Sequence, residues 1–168
     1  MCIFSIILLL GGGRFASAEI TTFPVRGITI TDSVVLPLSP DSAFDIMTGD
    51  ISPWWDHSFA EHPKAFYIEP KPGGGFFEIF DEAGNGVKHA TVIYAERGKL
   101  LRFEGPLGLS GNALVFVTTW EYEPAEGGTV VRLTVNAAGQ IAEGFETTIA
   151  AVWHHFLYDG LKTYVEKR

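Results

Sequence analysis

Residues 144–168 carry the clearest periodicity of the chain. At about 100° per residue, Phe145, Ile149, Val152, Trp153, Phe156, Leu157, Leu161 and Tyr164 fall on one half of a helical wheel, and Thr148, His155, Asp159, Lys162 and Glu166 on the other. The stripe is wide enough to lie along a sheet, and the basic residues of the last turn complement the helix dipole. Upstream, the pattern changes to the shorter period of strands. Residues 25–38 alternate loosely and predict a first strand that Pro37 and Pro40 end. Ser39 and Pro40 then open a short helix, as N-cap and first helical residue, and Gly49 stops it. A second short turn or helix starts at Ile51 and carries Trp54 and Trp55, which cannot both point the same way: one reaches the core, the other a surface or a cavity mouth.

Strands follow at 65–69, 75–80, 87–95, 99–104, 113–123 and 129–137, separated by turn clusters such as Asn85-Gly86 and Gly127-Gly128. In the last strand Val131, Leu133 and Val135 alternate with Arg132, Thr134 and Asn136, so one face is wet. Strands joined by hairpins pair with their neighbours. The order therefore predicts an α+β fold: a curved antiparallel sheet of about seven strands wrapped around a long C-terminal helix, with two short helices after the first strand. The hollow between sheet and helix is either filled or lined by apolar side chains.

At 168 residues the chain has the size of one domain. A formal net charge of -8, with Lys and Arg scattered singly before the C-terminus, argues against nucleic acid or an anionic membrane as partner. Residues 2–10 are an apolar run, followed by a glycine break and the small-x-small sequence Ala16-Ser17-Ala18. This predicts a signal peptide over 1–18, cleaved after Ala18, with one domain over 19–168 that is exported to the periplasm or secreted. The run is too short to span a membrane, so no transmembrane anchor remains after cleavage. One signal-peptide feature is missing: no Lys or Arg precedes the run. The competing reading is a buried N-terminal strand. The one cysteine, Cys2, leaves with the signal, so neither a disulfide nor a thiolate site is expected.

Trp54-Trp55-Asp56-His57, the run Gly73 to Glu78, Val87-Lys88-His89, the stretch from Leu100 through Gly108, Trp120 and Gly127-Gly128-Thr129 together resemble the START-like, or SRPBCC, helix-grip superfamily. The resemblance runs from Val25 to the C-terminus and is narrowest with small exported bacterial members. It implies a cavity between sheet and long helix that takes an apolar or aromatic small molecule. The superfamily also holds lipid-transfer domains, polyketide cyclases and ATPase-activator-like domains, so the fold alone does not choose an activity.

The sharpest chemical candidate is Glu78 with His89. If Phe80 faces Val87, Glu78 lies directly opposite His89, with Cβ atoms about 5 Å apart. A carboxylate beside an imidazole fixes its tautomer and raises its basicity, as a general base requires. The plainer reading is a surface pair, and the alternation does not decide which face it takes. His57 with His89 and Glu78 would make a two-His, one-carboxylate set, but no ligand spacing supports it, so neither metal nor cofactor is expected. His155, four residues before Asp159, reads as an exposed helix pair. His154 lies at the border of the stripe, and residues 105–111 read as a glycine-rich loop at the cavity mouth.

These observations lead to a small-molecule-binding protein without catalysis. Its apolar walls are expected from Trp54, Phe77, Tyr94, Phe103, Trp120, Trp153 and Phe156, and its polar contacts from Glu78, His89 and His57. The alternatives are a cyclase- or dehydratase-like enzyme using Glu78 and His89 as an acid–base pair, and an ATPase-activator-like interaction module, against which export argues. No pattern selects an oligomeric state.

Overall fold

The computed structural model describes residues 18–168; of the expected signal segment, all but Ala18 lies outside the described residues. Eight strands form one antiparallel sheet: β1 (Arg26–Leu36), β2 (Gly49–Asp50), β3 (Ala65–Ile68), β4 (Gly75–Ile79), β5 (Gly86–Glu96), β6 (Leu100–Gly105), β7 (Leu114–Ala125) and β8 (Gly128–Gly139). Their spatial order is β1-β8-β7-β6-β5-β4-β3-β2. Consecutive hairpins account for all of it except the pairing of β1 with β8, which brings the first strand beside the last. The strand count exceeds the expected seven because Gly49 and Asp50 pair with Ile68 and Tyr67, a two-residue ladder too short to leave a pattern.

The short helix α1 (Pro40–Ile46) starts as expected. The Ser42 amide donates to Ser39 Oγ at 3.3 Å, and Pro40 occupies the first turn. The expected second helix is a turn instead. The Trp54 and Trp55 amides both donate to the Ile51 carbonyl, which closes a single turn that no helix continues. The terminal helix runs as α2 (Phe145–His155), continues as a π-helical segment (Phe156–Lys162) and closes with the α-helical turn α3 (Thr163–Glu166). No helix among the described residues is long and apolar enough to cross a membrane.

The core lies between the inner face of the sheet and this helix. Along β8, Val131, Leu133 and Val135 are buried and Arg132 and Asn136 exposed, the alternation expected of a sheet with one wet face. Phe66, Phe76, Phe103 and Trp120 are fully buried, each phenylalanine contributing about 2–3 kcal/mol by leaving water. From the helix, Ile149, Trp153, Phe156, Leu157, Leu161 and Val165 close over them. The π segment shifts the stripe by one position, so Val165 holds the buried place and Tyr164 only its edge.

Two bulges curve β5. Phe76 pairs with Ala90 and Phe77 with Lys88, leaving His89 as the extra residue; Val92 pairs with Phe103 and Tyr94 with Arg102, leaving Ile93 as another. A bulge bends its strand and re-aims the side chains beside it. His89 and Ala90 consequently both face inward, and Val92 is buried rather than outward as simple alternation predicts.

Candidate functional site

Glu78 and His89 meet, but not as direct cross-strand partners. Glu78 pairs with Val87, two residues away from the expected register. The bulge at His89 returns that side chain to the inner face, where His89 Nε2 lies 3.1 Å from Glu78 Oε2. Glu78 is fully buried. Its Oε1 also accepts the Phe59 and Ala60 amides, both at 2.9 Å, and its Oε2 accepts the Phe59 amide at 3.1 Å. The carboxylate thus pins the 57–60 loop and holds the imidazole in one orientation. Because a carboxylate oxygen accepts, the contact places the ring proton on Nε2. Among the described residues no group hydrogen-bonds Nδ1 of His89. The ring is packed by Phe59 (5.7 Å between centroids, 11° between planes), Phe66 and Phe76.

His89 forms part of the wall of a cavity of about 220 Å³ between sheet and helix. The sheet supplies Phe76 and Phe116 beside it. The helix supplies Phe145, Thr148, Ile149, Val152, Trp153 and Phe156. Leu107, Gly108 and Leu109 of the 105–111 loop form a third wall, with Leu107 held at φ 51°, a left-handed conformation that costs a non-glycine residue about 1–2 kcal/mol. Trp55 and His57 close one end. An apolar cavity of about 150 Å³ admits benzene, so this one has room for a one- or two-ring aromatic or a short acyl chain.

Of the residues expected to form the walls and polar contacts, His57, His89, Trp153 and Phe156 stand on the cavity and six do not. Trp54 is the tryptophan that goes to the core, its Nε1 donating to the Ile46 carbonyl at 3.0 Å. Trp55 turns to the cavity, stacked on Phe156 at 3.8 Å and 18°. Phe77 lies on the outer face, where its partner Lys88 places Nζ 5.7 Å from the ring centroid. Tyr94 is exposed and donates to Glu96 at 2.9 Å. Phe103 and Trp120 pack edge to face at 5.2 Å in the core beneath Phe76. Glu78 stands behind His89 rather than on the wall. His154, expected near the stripe's border, is exposed and bonds Asp32 of β1 at 2.8 Å.

A second polar cluster sits at the cavity rim. Asp56 Oδ1 bonds His57 Nδ1 and Asp56 Oδ2 bonds His155 Nε2, both at 2.8 Å. His155 Nδ1 bonds Asp159 at 3.0 Å. The i,i+4 pair with Asp159 is the one expected; the contact with Asp56 is long-range and had no local signal. Partial burial raises the Asp56 carboxyl, but the hydrogen bonds to His57 and His155 outweigh it and leave the group below its ordinary value. Hydrogen bonds to Asp56 and Asp159 raise the His155 imidazole.

A curved sheet gripping a terminal helix, with an apolar cavity between them, is the helix-grip architecture of START-like proteins. The family described as polyketide cyclase / dehydrase and lipid transport matches residues 27–166, and the chain belongs to it. No curated protein matches the chain in sequence. Among solved structures, an uncharacterized protein from Rhizobium leguminosarum superposes with a TM-score of 0.64 at 14% identity, over 86% of this chain and 98% of that one. A protein of unknown function from Staphylococcus aureus gives 0.62 at 12% identity, over 85% and 96%. A Rhizobium loti protein gives 0.55 at 21% identity, over 79% and 96%. These likenesses establish the shared fold.

Proposed function

We propose that the protein binds a small apolar or aromatic molecule between its sheet and terminal helix and releases it unchanged. The observation that carries this reading is the cavity itself: its walls are nearly all aromatic and aliphatic, and one imidazole nitrogen with no partner among the described residues, His89 Nδ1, serves as a polar contact. That is the usual composition of a small-molecule site. The family description, which includes lipid transport, supports the same class of ligand. We further propose that the protein works outside the cytoplasm, on the strength of the signal-like pattern over 1–18; N-terminal sequencing of the protein recovered from its host's exported fraction tests this.

The first experiment is native mass spectrometry of that material with solvent extraction of any bound molecule, followed by displacement of a fluorescent aromatic probe. Val152→Trp fills the cavity from the helix side; it is expected to abolish probe binding while leaving thermal unfolding nearly unchanged. Unaltered probe binding in Val152→Trp overturns the reading.

The Glu78–His89 geometry favours one second reading, a cyclase- or dehydratase-like enzyme in which His89 exchanges a proton with the ligand through Nδ1. A carboxylate behind an imidazole that faces a cavity is the arrangement a general base uses. Glu78 would act there only by orienting the ring, since both its oxygens already accept hydrogen bonds. Recovery of a chemically altered molecule from the wild type but not from His89→Gln would favour this reading over the binder.

A further inference from the structure

We propose that Asp56, His57 and His155 form a site for a divalent transition-metal ion at the rim of the cavity, with Zn²⁺ the ion their donors suit. One ligand atom from each of the three residues lies within 4.8 Å of the others. Two imidazoles and one carboxylate are a donor set for a borderline metal. At zinc bond lengths, tetrahedral ligand atoms stand about 3.4 Å apart. The present carboxylate–imidazole contacts are 2.8 Å, so small side-chain rotations open the triad around an ion.

Three features beyond the convergence point to a metal. The first is the outer carboxylate. Asp159 holds His155 at Nδ1 and leaves Nε2 aimed at the triad; a metal-binding histidine almost always has its other nitrogen fixed in this way. The second is the packing of His57, whose ring stands edge-on to Phe156 at 4.8 Å and tilted to the His155 ring at 5.4 Å. These contacts hold one side of a ring whose other side is exposed. The third is the backbone. His155 is the last residue before the π-helical segment, an irregularity often found at functional sites, and Gly160 of that segment lies directly against the Trp54 carbonyl. That close approach brings the helix down onto the turn that carries Asp56 and His57.

The other long-range histidine–aspartate contact on this helix, His154 with Asp32, has no third ligand among the described residues and serves as the comparison. The triad supplies three ligands and is half exposed, so the coordination stays open. His57 is also a wall of the cavity, and a cavity molecule with a carboxylate or phenolate at its outer end would complete the metal's shell. That last step rests on the proposed ligand-binding function; the metal site does not.

The test uses tag-free, chelator-treated protein and the metal ions alone, so its failure is separate from failure of the cavity reading. Zn²⁺ affinity is measured by competition with a chromophoric chelator, and Co²⁺ is titrated while its visible absorption is followed. The expected result is one ion per chain, with the intense bands of low-coordinate Co²⁺. His155→Ala and Asp56→Asn should each weaken Zn²⁺ binding about 100-fold or more, and Asp159→Asn about 10-fold. His154→Ala should leave it unchanged. The altered side chains are all partly exposed, and circular dichroism confirms that each variant is folded. Absence of stoichiometric Zn²⁺ binding by the wild type overturns the proposal, as does binding that survives both His155→Ala and Asp56→Asn or falls equally in His154→Ala.

Discussion

The Glu78 carboxylate and the His89 imidazole are joined at 3.1 Å although their backbones are not paired: Glu78 is registered with Val87, and the bulge at His89 brings the ring back to it. The same carboxylate accepts two amides of the 57–60 loop. One buried side chain therefore links the floor of the cavity to the loop that carries His57, and its contribution to stability is separable from any contribution to binding.

Removing it leaves two amides and an imidazole donor without partners around a fully buried position. Glu78→Ala is expected to destabilise the fold by about 3 kcal/mol or more. Glu78→Gln keeps the volume and one acceptor oxygen, and should cost less. Urea unfolding of both variants checks the order; equal, small losses would show that the carboxylate does not anchor the loop.

Gly160 packs so close to Trp54 that a Cβ would stand 2.5 Å from the Trp54 carbonyl oxygen. Backbone cannot give way there as a flexible side chain would. Although alanine favours helix by about 1 kcal/mol over glycine, Gly160→Ala is expected to lower stability, by about 1–3 kcal/mol from overpacking. Thermal unfolding decides the sign, and a rise in melting temperature would mean that helix and turn can separate freely.

Tyr122 is buried beside Phe44, with ring centroids 5.5 Å apart, and its hydroxyl has no hydrogen-bond partner among the described residues. Burial pushes its phenol well above the ordinary value. Tyr122→Phe keeps the ring and removes the unpaired hydroxyl, so the variant should be as stable as the wild type or more stable by about 1 kcal/mol. A substantial loss in denaturant unfolding would show that the hydroxyl is bonded in solution.

Arg26 on β1 and Glu146 in the first turn of α2 form a two-pronged ion pair at 3.0 and 3.1 Å. The hydrogen bonds from Arg26 hold the Glu146 carboxyl below its ordinary value. A depressed folded-state pKa contributes stability that is fully present above the unfolded carboxyl's value of about 4.3. It is lost as the pH falls through the lower folded value. Glu146→Gln is therefore expected to lower stability above about pH 4.3, to change little once the pH is below the folded-state value, and so to flatten the acid side of the stability profile. Unfolding midpoints measured across that range test it; an unchanged acid limb would assign the loss to other carboxylates.

The order of elements and the identity of the gripping helix were legible in the sequence because they rest on repeating local signals. Val131, Leu133 and Val135 alternate over a whole strand; Asn85-Gly86 and Gly127-Gly128 mark hairpins; the stripe from Phe145 to Leu161 outlasts any single irregularity. Ser39-Pro40 announced α1 because capping is a contact among near neighbours. The makeup of the site was legible only in part: His57, His89, Trp153 and Phe156 were expected there, but single-residue shifts of phase decide the rest, and such shifts have no sequence signature of their own. The bulges at His89 and Ile93 turned Val92 inward and left Tyr94 outside. The turn on Ile51 sent Trp54 to the core and Trp55 to the cavity. His155 met Asp56 across 99 residues of chain. Local periodicity thus determined which segments form sheet and helix. Where each side chain points at the cavity was decided by packing between distant segments, because a strand or helix gives up one residue of regularity wherever closing the core is worth more than the hydrogen bond it displaces.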